Sequence, residues 1–140
     1  MKVLYHDGCD DGFGAAYAIW LKHGYQAEYI PVQHGQPFPD VSFGETVYVV
    51  DFSYSRDILQ SVAARCKLVV LDHHKTAMDD LADLPFTHFD MNKSGAVLAW
   101  EYFHPNEPIP LLLRYVQDYD LWTKELPNTE ENKAWRGSFP

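Results

Sequence analysis

The chain has 140 residues, 46% of them apolar and 15% aromatic, and its 11 basic and 20 acidic side chains give a formal charge of −9. That length and apolar content suit one compact domain with its own hydrophobic core and exclude a disordered polar chain. Such an acidic chain has no bulk affinity for nucleic acid through counterion release, although an acidic protein can still act on phosphates when bound divalent cations invert the local field.

In chain order, Lys2–Tyr5 reads as a short strand, followed by a loop ending at Gly12. Gly14–Lys22 carries small and apolar residues at helical spacing, with His23-Gly24 as its stop signal. Ala27–Val32 is a second strand, and Gln33–Gly44, with two prolines and two glycines, is a loop. The apolar runs Val47–Val50 and Leu68–Leu71 are strands covered on both faces. Between them Ser55–Cys66 is helical, with Ile58, Leu59, Val62 and Ala63 on its apolar face. A short helix over Asp80–Leu84 and a weaker strand over Phe86–Phe89 follow. Ser94 caps a helix through Phe103, and Pro108 or Pro110 opens another through Tyr119.

This βαβαβ alternation predicts an α/β fold: a mostly parallel, doubly wound sheet with right-handed crossovers and helices on both faces. One domain is expected over residues 1–122, with 123–140 as a linker or the start of a further domain. No run of 18 apolar residues is present, so a membrane-spanning helix is excluded on length. Met1–Tyr5 is too short for a secretory signal, and a cytoplasmic location is the expectation. Cys9 and Cys66 are too few for a disulfide framework; Cys66 is expected to be buried packing, and Cys9, lying among the chemically interesting residues, to be packing or a support to the ligands.

In an open parallel sheet, functional groups collect outside the carboxyl ends of the strands. Three polar clusters stand at such ends: His6-Asp7-Gly8-Cys9-Asp10-Asp11-Gly12, then Asp51, then Asp72-His73-His74. Neighbouring strands lie about 5 Å apart, so carboxylates and imidazoles converge there. A bare cluster of that kind repels itself, and two divalent cations bridged by a carboxylate resolve the repulsion. Mixed His and Asp ligation favours Mn, Fe or Co over Mg. Gly12 and Gly14 suggest open backbone where an oxyanion could approach a helix start. Singly these residues have ordinary roles: Asp51 as a turn former, His6 as packing, Asp7 as a solvated loop residue. Their joint occurrence at three strand ends does not.

With these motifs the chain resembles the DHH phosphoesterase superfamily, which includes RecJ-type exonucleases, nanoRNases, cyclic-dinucleotide phosphodiesterases, exopolyphosphatases and family II pyrophosphatases. The matching elements are Asp72-His73-His74 after an apolar strand, the acidic loop His6–Gly12, Asp51 in Val-Val-Asp-Phe-Ser, the helix start Ser94-Gly95-Ala96 and Asp118 in Val-Gln-Asp-Tyr-Asp. The resemblance implies the N-terminal catalytic domain of a phosphoesterase with two divalent ions, Mn foremost and Co or Mg as alternatives. It implies hydrolysis of phosphodiester or phosphoanhydride bonds by a bridging hydroxide. The substrate would be a nucleotide, a short single-stranded oligonucleotide or polyphosphate. His6 with Asp10 or Asp11 would hold one ion, Asp51 would bridge, and Asp11, His73 and Asp118 (or Asp120) would hold the second. His74 would face the phosphate. The adjacent Asp10-Asp11 pair departs from the usual Asp-x-Asp spacing and makes Asp11 the firmer ligand. The family's C-terminal substrate domain has no counterpart in these 140 residues. Two other readings compete. One is a phosphoacceptor receiver domain built on Asp10-Asp11 and Asp51, with Lys93 as its nearest lysine; the other is a degenerate domain that binds metal or nucleotide without catalysis.

Overall fold

A computed structural model describes residues 1–121. The boundary expected at residues 122 and 123 and the segment 123–140 lie outside the described residues. The elements run β1 (Lys2–His6), α1 (Asp10–His23), a 3-10 turn (Gly24–Gln26), β2 (Glu28–Val32), β3 (Thr46–Val50), α2 (Arg56–Ala63), β4 (Lys67–Asp72), α3 (Lys75–Leu81), β5 (Thr87–Phe89), α4 (Gly95–Phe103) and α5 (Leu111–Asp120). All five strands are parallel, in the order β2-β1-β3-β4-β5. The expected mostly parallel α/β sheet is the observed one.

Strand alternation divides the core in two. Val3, Val50 and Leu71 face a layer containing Ala15, Ile19, Ala99, Trp100 and Leu113 from α1, α4 and α5. Leu4, Val49 and Val70 face Leu59, Val62 and Leu81 from α2 and α3. The chain leaves β1 for β2 on one side but builds β3, β4 and β5 outward on the other. Right-handed crossovers in opposite directions put their helices on opposite faces. The order reverses between β1 and β3, and a crevice opens there at the carboxyl edge.

Several local expectations are corrected. Helix α1 begins at Asp10, two residues before the loop was expected to end, because Cys9 caps it. The third helix covers Lys75–Leu81 rather than Asp80–Leu84. On α2 the buried residues are Leu59 and Val62, while Ile58 turns outward and is 38% exposed. Gly12 and Gly14 do not leave open backbone. A Cβ on Gly12 would stand 2.0 Å from the His6 carbonyl oxygen, and one on Gly14 3.0 Å from Ala96 Cβ. Both glycines let α1 lie close, one against the end of β1 and the other against α4. Among the described residues, no helix is long and apolar enough to cross a membrane.

Candidate metal centre

The site is assembled by the turns that follow β1, β3 and β4. Asp51 follows β3 at φ 56°, the one described non-glycine residue with positive φ, a conformation that short polar side chains tolerate best. Its amide still donates to the Leu71 carbonyl at 2.9 Å, so the turn is anchored to the sheet while the carboxylate swings into the crevice. Gly95 makes room for it: a Cβ there would meet Asp51 Cβ at 2.6 Å and Oδ1 at 2.7 Å.

Asp11 lies in the first turn of α1 and points at the start of α4. Gly95 N–H donates to its Oδ2 and Ala96 N–H to its Oδ1, each at 2.8 Å. The amides that helix starts offer to anions are thus held by a carboxylate of the chain, and Ser94 Oγ accepts a third from Val97. These bonds, with that from His73, hold the Asp11 carboxyl below its usual value although burial pushes it the other way.

His73 Nε2 stands 3.0 Å from Asp51 Oδ1, 3.1 Å from Asp11 Oδ2 and 3.7 Å from Asp120 Oδ2. Burial disfavours its imidazolium, but the hydrogen bonds and charges of Asp11 and Asp51 prevail and push its pKa up to about 10. Asp51, 2% exposed, is raised by burial to about 7; His73 offsets part of that and Asp11 adds to it. Asp72 is equally buried and is pinned by Ser53 Oγ at 2.8 Å and the His73 amide at 2.8 Å. It accepts from His74 Nδ1 at 2.6 Å, which fixes that half-exposed ring, raises its pKa and leaves Nε2 for a ligand.

On the β1 side, Cys9 Sγ is 3.5 Å from His6 Nδ1 and 3.4 Å from Asp51 Oδ2. The Gly12 amide donates to the sulfur at 3.3 Å. Burial raises the Cys9 thiol to about 12, and burial lowers His6.

The donor atoms fall into three overlapping groups, each within 4.8 Å: His6, Cys9 and Asp51; Asp51, Asp72, His73 and His74; and Asp11, His73 and Asp120. Asp51 and His73 are each shared by two groups; of the two, the Asp51 carboxylate has the paired oxygens that a bridge between two cations requires, while His73 offers the single nitrogen Nε2. His6, Asp11, Asp51, His73 and His74 from the sequence reading are therefore brought together. Asp10 belongs to none of the groups: one residue from Asp11 on a helix, it is turned about 100° away. Asp118 is buried but also outside them, while Asp120 reaches His73. The sequence reading assigned no ligand role to Cys9 or Asp72 and gave Gly95 no packing role. The signal for Asp72 was its place as the last residue of a buried strand.

Beside the cluster lies a cleft of about 350 Å³ lined by His6, His34, Asp51, Asp72, His74 and Tyr54, among others. The Tyr54 hydroxyl is buried without a hydrogen-bond partner among the described residues. The donor chemistry suits divalent cations. A buried aspartate at positive φ, wedged beside Asp11 and pushed toward neutrality, is stabilised by a positive ion.

No family model matches the chain. It is 39% identical over 147 aligned residues to an uncharacterized protein, R106, of Acanthamoeba polyphaga mimivirus, an alignment covering 92% of this chain. The chain spans about a third of that relative's length, 35%. In three dimensions it is similar to the crystal structure of an uncharacterized protein from Helicobacter pylori G27, with a TM-score of 0.74 at 14% identity. That match covers 94% of this chain and 46% of the other, and it extends the α/β architecture to a second protein.

Proposed function

We propose that this chain is the catalytic domain of a metal-dependent phosphoesterase of the DHH type, acting on phosphodiester or phosphoanhydride bonds. The observation that carries the reading is the pair of shared ligands, Asp51 and His73, at the centre of three donor groups on the carboxyl edge of the sheet. Two divalent cations, Mn in the first instance, would supply acidification of a water and neutralisation of phosphate oxygens. The chain's own residues do the rest. Asp51 holds the two positions in register, and Asp11 and His73 complete the inner one, with Asp120 at its mouth. His74, held as a hydrogen-bond donor by Asp72, faces the cleft where charge develops on the phosphate. The cleft is of a size for a phosphate ester, and whether that is a nucleotide, a short oligonucleotide or polyphosphate is decided by groups beyond this cluster.

The receiver reading has less support. Asp51 is 2% exposed and bonded by His73 and Cys9, so it is not open to an incoming phosphoryl group. Lys93 is paired with Glu101 at 3.1 Å instead. The test is hydrolysis of bis(p-nitrophenyl) phosphate with added Mn by wild type, His73→Ala and His74→Ala. Activity lost in the first variant and reduced in the second, with metal still bound in the second, is expected. A wild type that binds two cations and hydrolyses no phosphoester would leave a binding domain without catalysis.

A further inference from the structure

Cys9 is the one member of the three donor groups that the phosphoesterase reading does not use. It occupies the N-cap of α1, a position where Ser, Thr, Asp and Asn are preferred because an oxygen accepts the N–H bond better. The sulfur does accept from Gly12 at 3.3 Å, yet it also faces two other metal-type donors at once. Cys9 Sγ, His6 Nδ1 and Asp51 Oδ2 form a triangle with sides of 3.5, 3.4 and 3.8 Å.

Those sides discriminate between coordination geometries. Ligands at about 2.3 Å (sulfur) and about 2.0–2.1 Å (nitrogen or oxygen) in a tetrahedron stand about 3.5 Å apart across an S···N or S···O edge and about 3.3 Å across an N···O edge. An octahedral site with ligands at about 2.1 Å has edges of about 3 Å. Both sulfur edges match the tetrahedron. The third side is longer than either ideal and is still nearer to the tetrahedral one. The Gly12 amide adds the kind of bond that orients a ligand sulfur, and the tilted contact of the His6 ring with Phe52, centroids 5.6 Å apart, restrains the imidazole.

We infer that Cys9 is a metal ligand and that the His6–Cys9–Asp51 position takes a thiolate-preferring cation of the zinc type, so that the two metal positions are chemically unlike. This rests on the two-cation reading of the site. The position among Asp11, His73 and Asp120 offers only oxygen and imidazole, and it suits Mn. On ligation the thiol proton passes to solvent; no oxidation is involved. Soft sulfur selects Zn and Co over Mn and Mg.

The experiment is cobalt substitution of the full chain, read by absorption. Cobalt-loaded wild type should show the near-ultraviolet charge-transfer band of a Co–thiolate bond and the intense visible bands of four-coordinate cobalt. Cys66→Ser, at a thiol that donates to the Ser42 carbonyl on the α2 side, should keep them. Cys9→Ser should lose the charge-transfer band and bind zinc more weakly by at least the about 10–100-fold that loss of a ligand's hydrogen-bond partner costs, with a smaller effect on Mn. Serine is a better N-cap than cysteine, so this variant retains α1, which circular dichroism checks. A cobalt-loaded wild type without the band, or a band that survives Cys9→Ser, overturns the assignment. The band is independent of turnover. A protein with the band but no hydrolysis would keep Cys9 as ligand and lose the enzyme reading, and an active protein without it would do the reverse. A chain that binds no cobalt fails both.

Discussion

Replacing Asp51 by Asn separates the forces that hold the fold from those that would hold the proposed cations. Asn is nearly isosteric, tolerates the left-handed φ of 56° at this position, and keeps a carbonyl for His73, 3.0 Å away in the native chain. It removes a buried charge. Asp51's carboxyl is raised from 3.8 to about 7, so keeping it ionised above pH 7 costs the metal-free protein on the order of 4 kcal/mol. That is the ceiling on what Asn recovers, because the His73 imidazolium loses a charged partner. In chelator at pH 8 the variant should melt at or above the wild type, where about 1 kcal/mol corresponds to about 3–5 °C for a chain of this size. Added cation should reverse the ranking. Metal at 100 times its Kd stabilises by about 2.7 kcal/mol, and a tenfold loss of affinity cuts this to about 1.4 kcal/mol. Thermal melts of both proteins with chelator, with Zn and with Mn give all six values. An Asn variant that is less stable without metal, yet gains as much as the wild type with it, would refute both the buried-charge argument and the bridge.

Gly95→Ala should cost about 1–3 kcal/mol of stability and weaken metal binding, since the new methyl meets Asp51 at 2.6 Å; denaturant melts and a Zn titration measure the two effects. Asp120→Asn should lower affinity at the Mn position more than Asp118→Asn does, because Asp120 lies 3.7 Å from His73 and Asp118 stands outside the donor groups; calorimetric titration compares them. The pH dependence follows from two raised pKa values. Asp51, at about 7 in the fold against 3.8 unfolded, makes the metal-free protein lose stability as pH rises from about 4 to 7. His73 contributes stability that is complete below about 6.5 and is lost as pH rises through about 10. Metal-free melting temperature should therefore fall across that range. Cation affinity should rise, because the metal displaces protons, and proton release in buffers of different ionisation enthalpy would show it. A metal-free protein stabilised by alkali would contradict these signs.

The sheet was legible in the sequence because a strand buried on both faces needs an unbroken apolar run, and Val47–Val50 and Leu68–Leu71 contain little else. The cluster was legible for a related reason. When strands are parallel, the residues just beyond them share one edge, so His6, Asp51 and Asp72–His74 were brought together by topology alone. Which neighbours of those residues join them was not legible. Asp10 and Asp11 differ only by one helical step, and the step is set by where α1 begins, at Asp10 rather than at Gly14 where the helical spacing starts. That start depends on Cys9 as cap and on Gly12 lying against the His6 carbonyl, close contacts that no periodicity encodes. Likewise, Asp120 rather than Asp118 reaches His73 because α5 packs on α1 and α4 in a rotation fixed by Leu113 and Val116. The sequence by itself determined the order of elements, the edge where the candidate ligands collect and most of their residue types. The tertiary structure alone decided which side chain of each adjacent pair faces inward, because that choice is made by helix rotation and close packing among residues far apart in the chain.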